Sequence, residues 1–86
     1  MPTKTVVVIR VPPTWTTEES QAFFAYIDQA VADGKTSAEV NHRFYDDAPL
    51  SRFERTWTTL EHAQDYVTFV QTYYSRAVES IELLPA

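Results

Sequence analysis

The sequence predicts one α+β domain with the element order β-α-β-β-α-β. Three observations carry this: a β-branched run near the N-terminus, a stretch of period two between residues 38 and 59, and two stretches of helical period, each opened by a Thr with a Glu three residues later. Eighty-six residues supply one hydrophobic core, so residues 1–86 are read as a single domain. With 44% hydrophobic and 14% aromatic residues, the chain has the composition of a folded protein.

Thr5 to Val11 is β-branched almost throughout, the mark of a strand covered on both faces and central in its sheet. Pro12 and Pro13 end it. Thr16 opens the first helix, with Glu19 placed to complete a capping box. Ala22, Phe23, Phe24, Tyr26, Ile27, Ala30 and Val31 then spread over one broad arc, opposite Gln21, Ala25, Asp28 and Ala32. Gly34, the only glycine, falls where a left-handed C-terminal cap belongs. From Ala38 to Thr59 the period is two. Val40, His42 and Phe44 share one face of the first run, and Phe53, Arg55 and Trp57 one face of the second. Asp46-Asp47-Ala48-Pro49 between them has a turn composition.

Pairing Phe44 with Phe53, His42 with Arg55 and Val40 with Trp57 sets Arg43 beside Glu54 on the opposite face. Opposite charges across a ladder favour that register by roughly a few tenths of a kcal/mol. Thr58 and Glu61 form the second capping box and start the second helix. Its core stripe is Leu60, Ala63, Val67, Val70 and Tyr74, and beside it runs a second stripe of His62, Tyr66, Phe69 and Tyr73. The helix gives way near Ser75, and Val78 to Leu84 reads as the last strand.

Two right-handed crossovers place both helices on one face of a four-stranded antiparallel sheet, the ferredoxin-like arrangement. The hydrophobic alternation puts Val40, Phe44, Phe53 and Trp57 beneath the helices. The bare face then carries Asn41, Arg43, Tyr45 and Thr56 from the hairpin, plus one apolar set of the first strand, either Val6 and Val8 or Val7, Ile9 and Val11. An uncovered apolar strip on so small a domain predicts a homodimer packed sheet to sheet, or a bound small molecule. Asn41, Arg43, Tyr45 and Thr56 are the ligand-binding candidates on that reading.

Composition excludes several function classes. One glycine cannot build a P-loop or a dinucleotide-binding GxGxxG turn. The absence of Cys removes disulfides, thiolate metal sites and thiol nucleophiles, and cytoplasmic localisation is the default for such a chain. No cofactor is expected, and no metal, since His42 and His62 lack ligand spacing. No stretch approaches the ~20 apolar residues of a membrane span. Seven Lys and Arg against twelve Asp and Glu give a net charge of −5, which opposes nucleic-acid binding. Arg43, Arg52 and Arg55 do lie near Phe53 and Trp57, but Arg52 to Trp57 lacks the Gly-aromatic pattern of the RNA-recognition motif.

The segment Arg55-Thr56-Trp57-Thr58-Thr59-Leu60-Glu61-His62-Ala63-Gln64-Asp65-Tyr66-Val67 resembles the passage from third strand to second helix in the dimeric α/β-barrel superfamily. That superfamily contains antibiotic-biosynthesis-type monooxygenases, muconolactone-isomerase-like proteins and stress-response barrel proteins. The resemblance implies two sheets packed face to face around an enclosed cavity. Its cofactor-free monooxygenases rely on an Asn, a Trp and a His at the barrel mouth. Here the single Asn is Asn41, and the first strand has none.

Three groups of residues are candidates for function. His42 and Arg55, with Asn41, would supply a base and an oxyanion or carboxylate binder if the chain is an enzyme. The structural alternative lays the Arg55 stem on Phe53 and Trp57. Asp46 and Asp47 are explained by the turn. The stripe His62, Tyr66, Phe69 and Tyr73 exceeds what one helix needs for its core. It would serve as a protein-docking face or be consumed by the first helix.

Overall fold

The computed structural model describes residues 1–86. The elements are β1 (Thr3–Arg10), α1 (Thr17–Ala32), β2 (Asn41–Phe44), β3 (Leu50–Trp57), α2 (Leu60–Tyr73), a 3-10 turn at Ser75–Ala77 and β4 (Val78–Pro85). The sheet order is β2-β3-β1-β4 with every neighbouring pair antiparallel. This is the ferredoxin-like α+β fold.

Local chemistry sets the helix ends. The Thr16 hydroxyl accepts from the Glu19 amide at 3.1 Å, and the Glu19 carboxylate accepts from the Thr16 amide at 3.0 Å, so the capping box is complete. At the other end Gly34 has φ +73°, and its amide donates to the Val31 carbonyl while the Lys35 amide donates to that of Ala30. Those two bonds make a Schellman motif, which needs a left-handed residue where only glycine is unstrained. The second cap differs from the expectation. Thr59, not Thr58, is the N-cap of α2, and it accepts from the His62 amide at 3.1 Å. Thr58 instead ties the strand end to the end of α1, its amide donating to the Lys35 carbonyl at 2.9 Å.

The hairpin register also differs, by two residues. His42 pairs with Phe53, Asn41 with Glu54 and Arg43 with Arg52. A tight four-residue turn decides it: the Tyr45 amide donates to the Leu50 carbonyl at 3.0 Å, closing Asp46 to Pro49. The Arg43–Glu54 attraction does not compete, because Glu54 already faces Lys4 at 3.2 Å on β1 and Arg52 on its own strand. A shift of two preserves face parity, so the residues assigned beneath the helices stay on that side.

The core lies between α2 and the sheet. Val7 and Ile9 of β1, Trp57 of β3, Ala63, Tyr66 and Val70 of α2, and Tyr74 are all buried. Trp57 is 1% exposed and donates from Nε1 to the Thr5 hydroxyl at 3.1 Å. Burying such a ring contributes on the order of 4 kcal/mol as an upper bound. Across the chain, the Tyr74 hydroxyl donates to the Glu19 carbonyl at 2.6 Å and Arg76 meets the Glu19 carboxylate at 2.6 Å, tying the start of α1 to the 3-10 turn.

α1 is held differently. α2 approaches β1, β3 and β4 closely, whereas no strand is approached as closely by α1. Aromatic rings stand between α1 and its neighbours: Tyr26 stacks on Phe69 at 4.1 Å, and Phe23 lies 5.3 Å from Tyr74 and 6.1 Å from Tyr66. No helix is long and apolar enough to cross a membrane.

Candidate functional site

A cavity of about 390 Å³ lies between α1 and the sheet, beside the β2–β3 hairpin. Its position follows from the fold. β1 offers Val7 and Ile9 upward, β3 offers Ser51, Phe53 and Arg55, and β2 offers His42 and Phe44, all with the same face parity. α1 covers it with Phe23 and Ile27, and Trp15, just before the helix, also lines it. Twelve of the seventeen lining residues are hydrophobic and none is Asp or Glu. The size falls in the ~300–1,000 Å³ range of small-molecule sites.

The rim explains an anomaly in the packing. Phe24 is 65% exposed, Phe44 62% and Val40 41%, and all three border the cavity. Every residue of β2 is exposed. Val40 and Phe44 therefore sit on the helix side, as the alternation requires, but no helix covers them. α1 passes above without closing onto the hairpin.

The polar groups of the wall are few. Arg55 donates from Nη1 to the Ser37 carbonyl at 2.7 Å and has no carboxylate partner. Burial of its guanidinium lowers its pKa from the ordinary arginine value. His42 stacks on Phe53 at 4.3 Å with the rings nearly parallel. Tyr66 is held as a neutral phenol, its pKa pushed up to about 12 by burial, with the Arg55 charge opposing the shift. The Trp15 indole Nε1 is buried without a hydrogen-bond partner. A buried donor left unpaired costs about 1–3 kcal/mol, so this one is unusual in an otherwise satisfied fold.

The residues singled out in the sequence divide between the two faces of the sheet. His42 and Arg55 both line the cavity but are not cross-strand partners, since His42 pairs with Phe53. Asn41 lies on the opposite face and donates to the Glu54 carboxylate at 3.3 Å, so the three catalytic candidates are not brought together. Arg43 sits 5.8 Å from the ring of its neighbour Tyr45, and Thr56 is exposed while its carbonyl accepts from Thr36 at 2.6 Å. Asn41 and Thr56 border a shallow polar depression with Lys4 and Glu54.

The apolar strip expected on that open face is not exposed. Val6 and Val8 do point that way, but they are 4% and 7% exposed, flanked by Glu54 and Arg52 of β3 and by Glu82 and Ser80 of β4. Hydrogen bonds from Arg52 and Lys4 hold the Glu54 carboxyl below its ordinary pKa, so this layer is a salt-bridged surface. Phe53 and Trp57 face the helices, so of the hairpin aromatics only Tyr45 lies on the open face, fewer than the stacking set of an RNA-binding sheet.

The stripe on α2 is largely used inside the domain. Tyr66 is 3% exposed and lies 4.9 Å from Trp57, a core position and not a surface one. Phe69 is half-buried under Tyr26, and His62 is half-buried at the helix start. Tyr73 alone is open, at 62%. The signal for the cavity was present as the excess width of the α1 arc. Trp15 was missed, since a lone Trp between a Pro pair and a cap carries no periodicity. No group of three or more His, Cys, Asp or Glu side chains converges anywhere.

Solved structures similar to this chain include the following two. The C-terminal domain of the MgtC protein from Mycobacterium tuberculosis aligns with a TM-score of 0.59 at 11% identity, over 99% of this chain and 86% of that one. A structural-genomics structure of the protein YJCS aligns with a TM-score of 0.52 at 8% identity, over 100% and 99% of the two chains. No family model matches the sequence, and no curated protein matches it. At these identities the likeness establishes the ferredoxin-like α+β fold alone.

Proposed function

We propose that this protein binds a small, mainly apolar molecule in the cavity between α1 and the β2–β3 hairpin. One observation carries the reading: a 390 Å³ apolar cavity in a domain of this size, bordered by Phe24, Val40 and Phe44 left open to solvent. Binding is favoured over turnover because the wall holds no nucleophile paired with a base. Neither Ser20 nor Ser51 hydrogen-bonds to His42, and Asn41 lies on the other face of the sheet. On this reading the ligand site lies on the helix side of the sheet.

The test is titration with N-phenyl-1-naphthylamine, an uncharged probe whose fluorescence rises in apolar surroundings. Saturable binding near one probe per chain is expected. No saturable signal up to the probe's solubility limit overturns the reading. A second copy of the chain seated on Phe24, Val40 and Phe44 would hide the same surface. Sedimentation equilibrium run with and without probe separates the cases. A monomer that binds probe supports the ligand reading, and a dimer that excludes probe supports the second copy.

A further inference from the structure

The wall of the cavity is chemically lopsided. In a chain with twelve acidic residues against seven Lys and Arg, not one carboxylate lines it, yet a half-buried guanidinium does. The other arginines have partners of their own. Arg10 meets Glu79 at 2.9 Å, Arg76 meets Glu19 at 2.6 Å, Arg52 is paired with Glu54, and Arg43 lies by the Tyr45 ring on the opposite face. Arg55 alone combines burial with no counter-charge, and only one of its bonds, to the Ser37 carbonyl, is made within the chain. A guanidinium presents five donors in a fixed fork that matches a carboxylate. Holding it partly dehydrated without an anion is unfavourable.

The Trp15 indole ring lines the same cavity. Arg55 sits opposite Thr5 and Ser51 opposite Ile9, so the cavity floor from Arg55 to Ser51 spans about four residues of strand, roughly 13 Å. Between them the wall is Val7, Ile9, Ile27, Phe23 and Phe53.

We propose that the occupant of this cavity is a hydrophobic monocarboxylate, with its carboxylate on Arg55 and its apolar body running over Phe53 and Val7 toward Ile9. This rests on the ligand reading above and adds the chemical class.

The experiment compares 6-phenylhexanoate with 6-phenylhexanol by isothermal titration calorimetry at pH 7, on the unmodified chain and on Arg55→Met, which keeps an apolar stem. The expected result is an acid that binds at least tenfold more tightly than its alcohol. That preference should vanish in Arg55→Met, while alcohol affinity changes by less than threefold. Arg55→Lys, which keeps the charge but not the fork, should retain part of the preference. Acid and alcohol binding equally to the unmodified chain overturns the inference and leaves the ligand reading standing. No binding of acid, alcohol or the uncharged naphthylamine probe overturns both. The comparison on the unmodified chain does not depend on any variant folding.

Discussion

Filling the cavity should stabilise the protein and abolish binding together. Ser51 is the position to use. It is 1% exposed, lies between Ile9 and Phe44 in register, and points into the cavity from β3. Ser51→Leu replaces a hydroxyl with a branched apolar group and adds roughly three buried methylene equivalents, at ~0.8 kcal/mol each about 2.4 kcal/mol of transfer. Fixing a leucine rotamer removes ~0.5–1 kcal/mol of that. The net is about 1.5 kcal/mol of added stability. At ~4–8 °C per kcal/mol for a domain of this size, the melting temperature should rise by about 6–12 °C. The assay is a thermal melt by circular dichroism beside a naphthylamine titration. Tm should rise and probe binding should fall at least tenfold. A lower Tm with probe binding intact would refute the reasoning, because it would mean that the space above Ser51 is closed in solution and the probe binds elsewhere.

Two further outcomes test the frame around the site. Gly34→Ala should destabilise by about 1 kcal/mol, read as a lower urea midpoint with unchanged slope. Nothing lies within 4 Å of the added methyl, so the whole cost is the left-handed backbone at φ +73°. Acid should weaken the fold through Glu19 and Glu54, whose folded pKa values are both lowered. For Glu19 the cause is first the Thr16 amide and then Arg76, and for Glu54 it is Arg52 and then Lys4. The folded state then binds fewer protons than the unfolded state near pH 4.5. The stabilisation is present above that pH and is lost as pH falls through the depressed folded values. Urea midpoints at pH 7, 4.5 and 3 should decline in that order, and Glu54→Gln should flatten the decline.

Much of this frame is legible in the residue order because it is decided locally. The Thr16–Glu19 box and the Gly34 cap need only short-range spacing, and the hairpin faces need only alternation. The register was a contest between interactions at different distances in sequence. A cross-strand Arg43–Glu54 pair looked decisive while β1 was out of view, but Lys4 comes from β1 and takes the same carboxylate. The buried state of Val6 and Val8 has the same origin. Hydropathy marks them as apolar, and whether their neighbours roof them depends on Arg52, Glu54, Ser80 and Glu82 from two other strands. Tyr66 was ambiguous for a related reason: a second stripe on a helix is surface or core depending on where the other helix lies.

The cavity itself results from that ambiguity. A broad arc of large side chains on α1 can meet either the sheet or α2. Tyr26 stacks on Phe69, while Phe23 is shared among Trp15, Phe69 and Tyr74. These contacts are made sideways, to α2, its C-cap Tyr74 and the Trp15 that precedes α1, and rings of that size hold the helix axis off the strands. Only Ile27 and Ala30 on α1 are fully buried. Smaller residues at Phe23 and Tyr26 would let α1 descend onto Phe53 and Phe44 and close the space. Both helices are capped by a threonine side chain, and around the cavity Phe24, Val40 and Phe44 are left exposed. In a domain whose total stability is on the order of 5–15 kcal/mol, an unfilled apolar space beside an arginine without a carboxylate partner is a large concession. A molecule that fills the space and meets Arg55 would remove that concession, and its binding would appear directly as added stability in proportion to RT ln(1 + [L]/Kd).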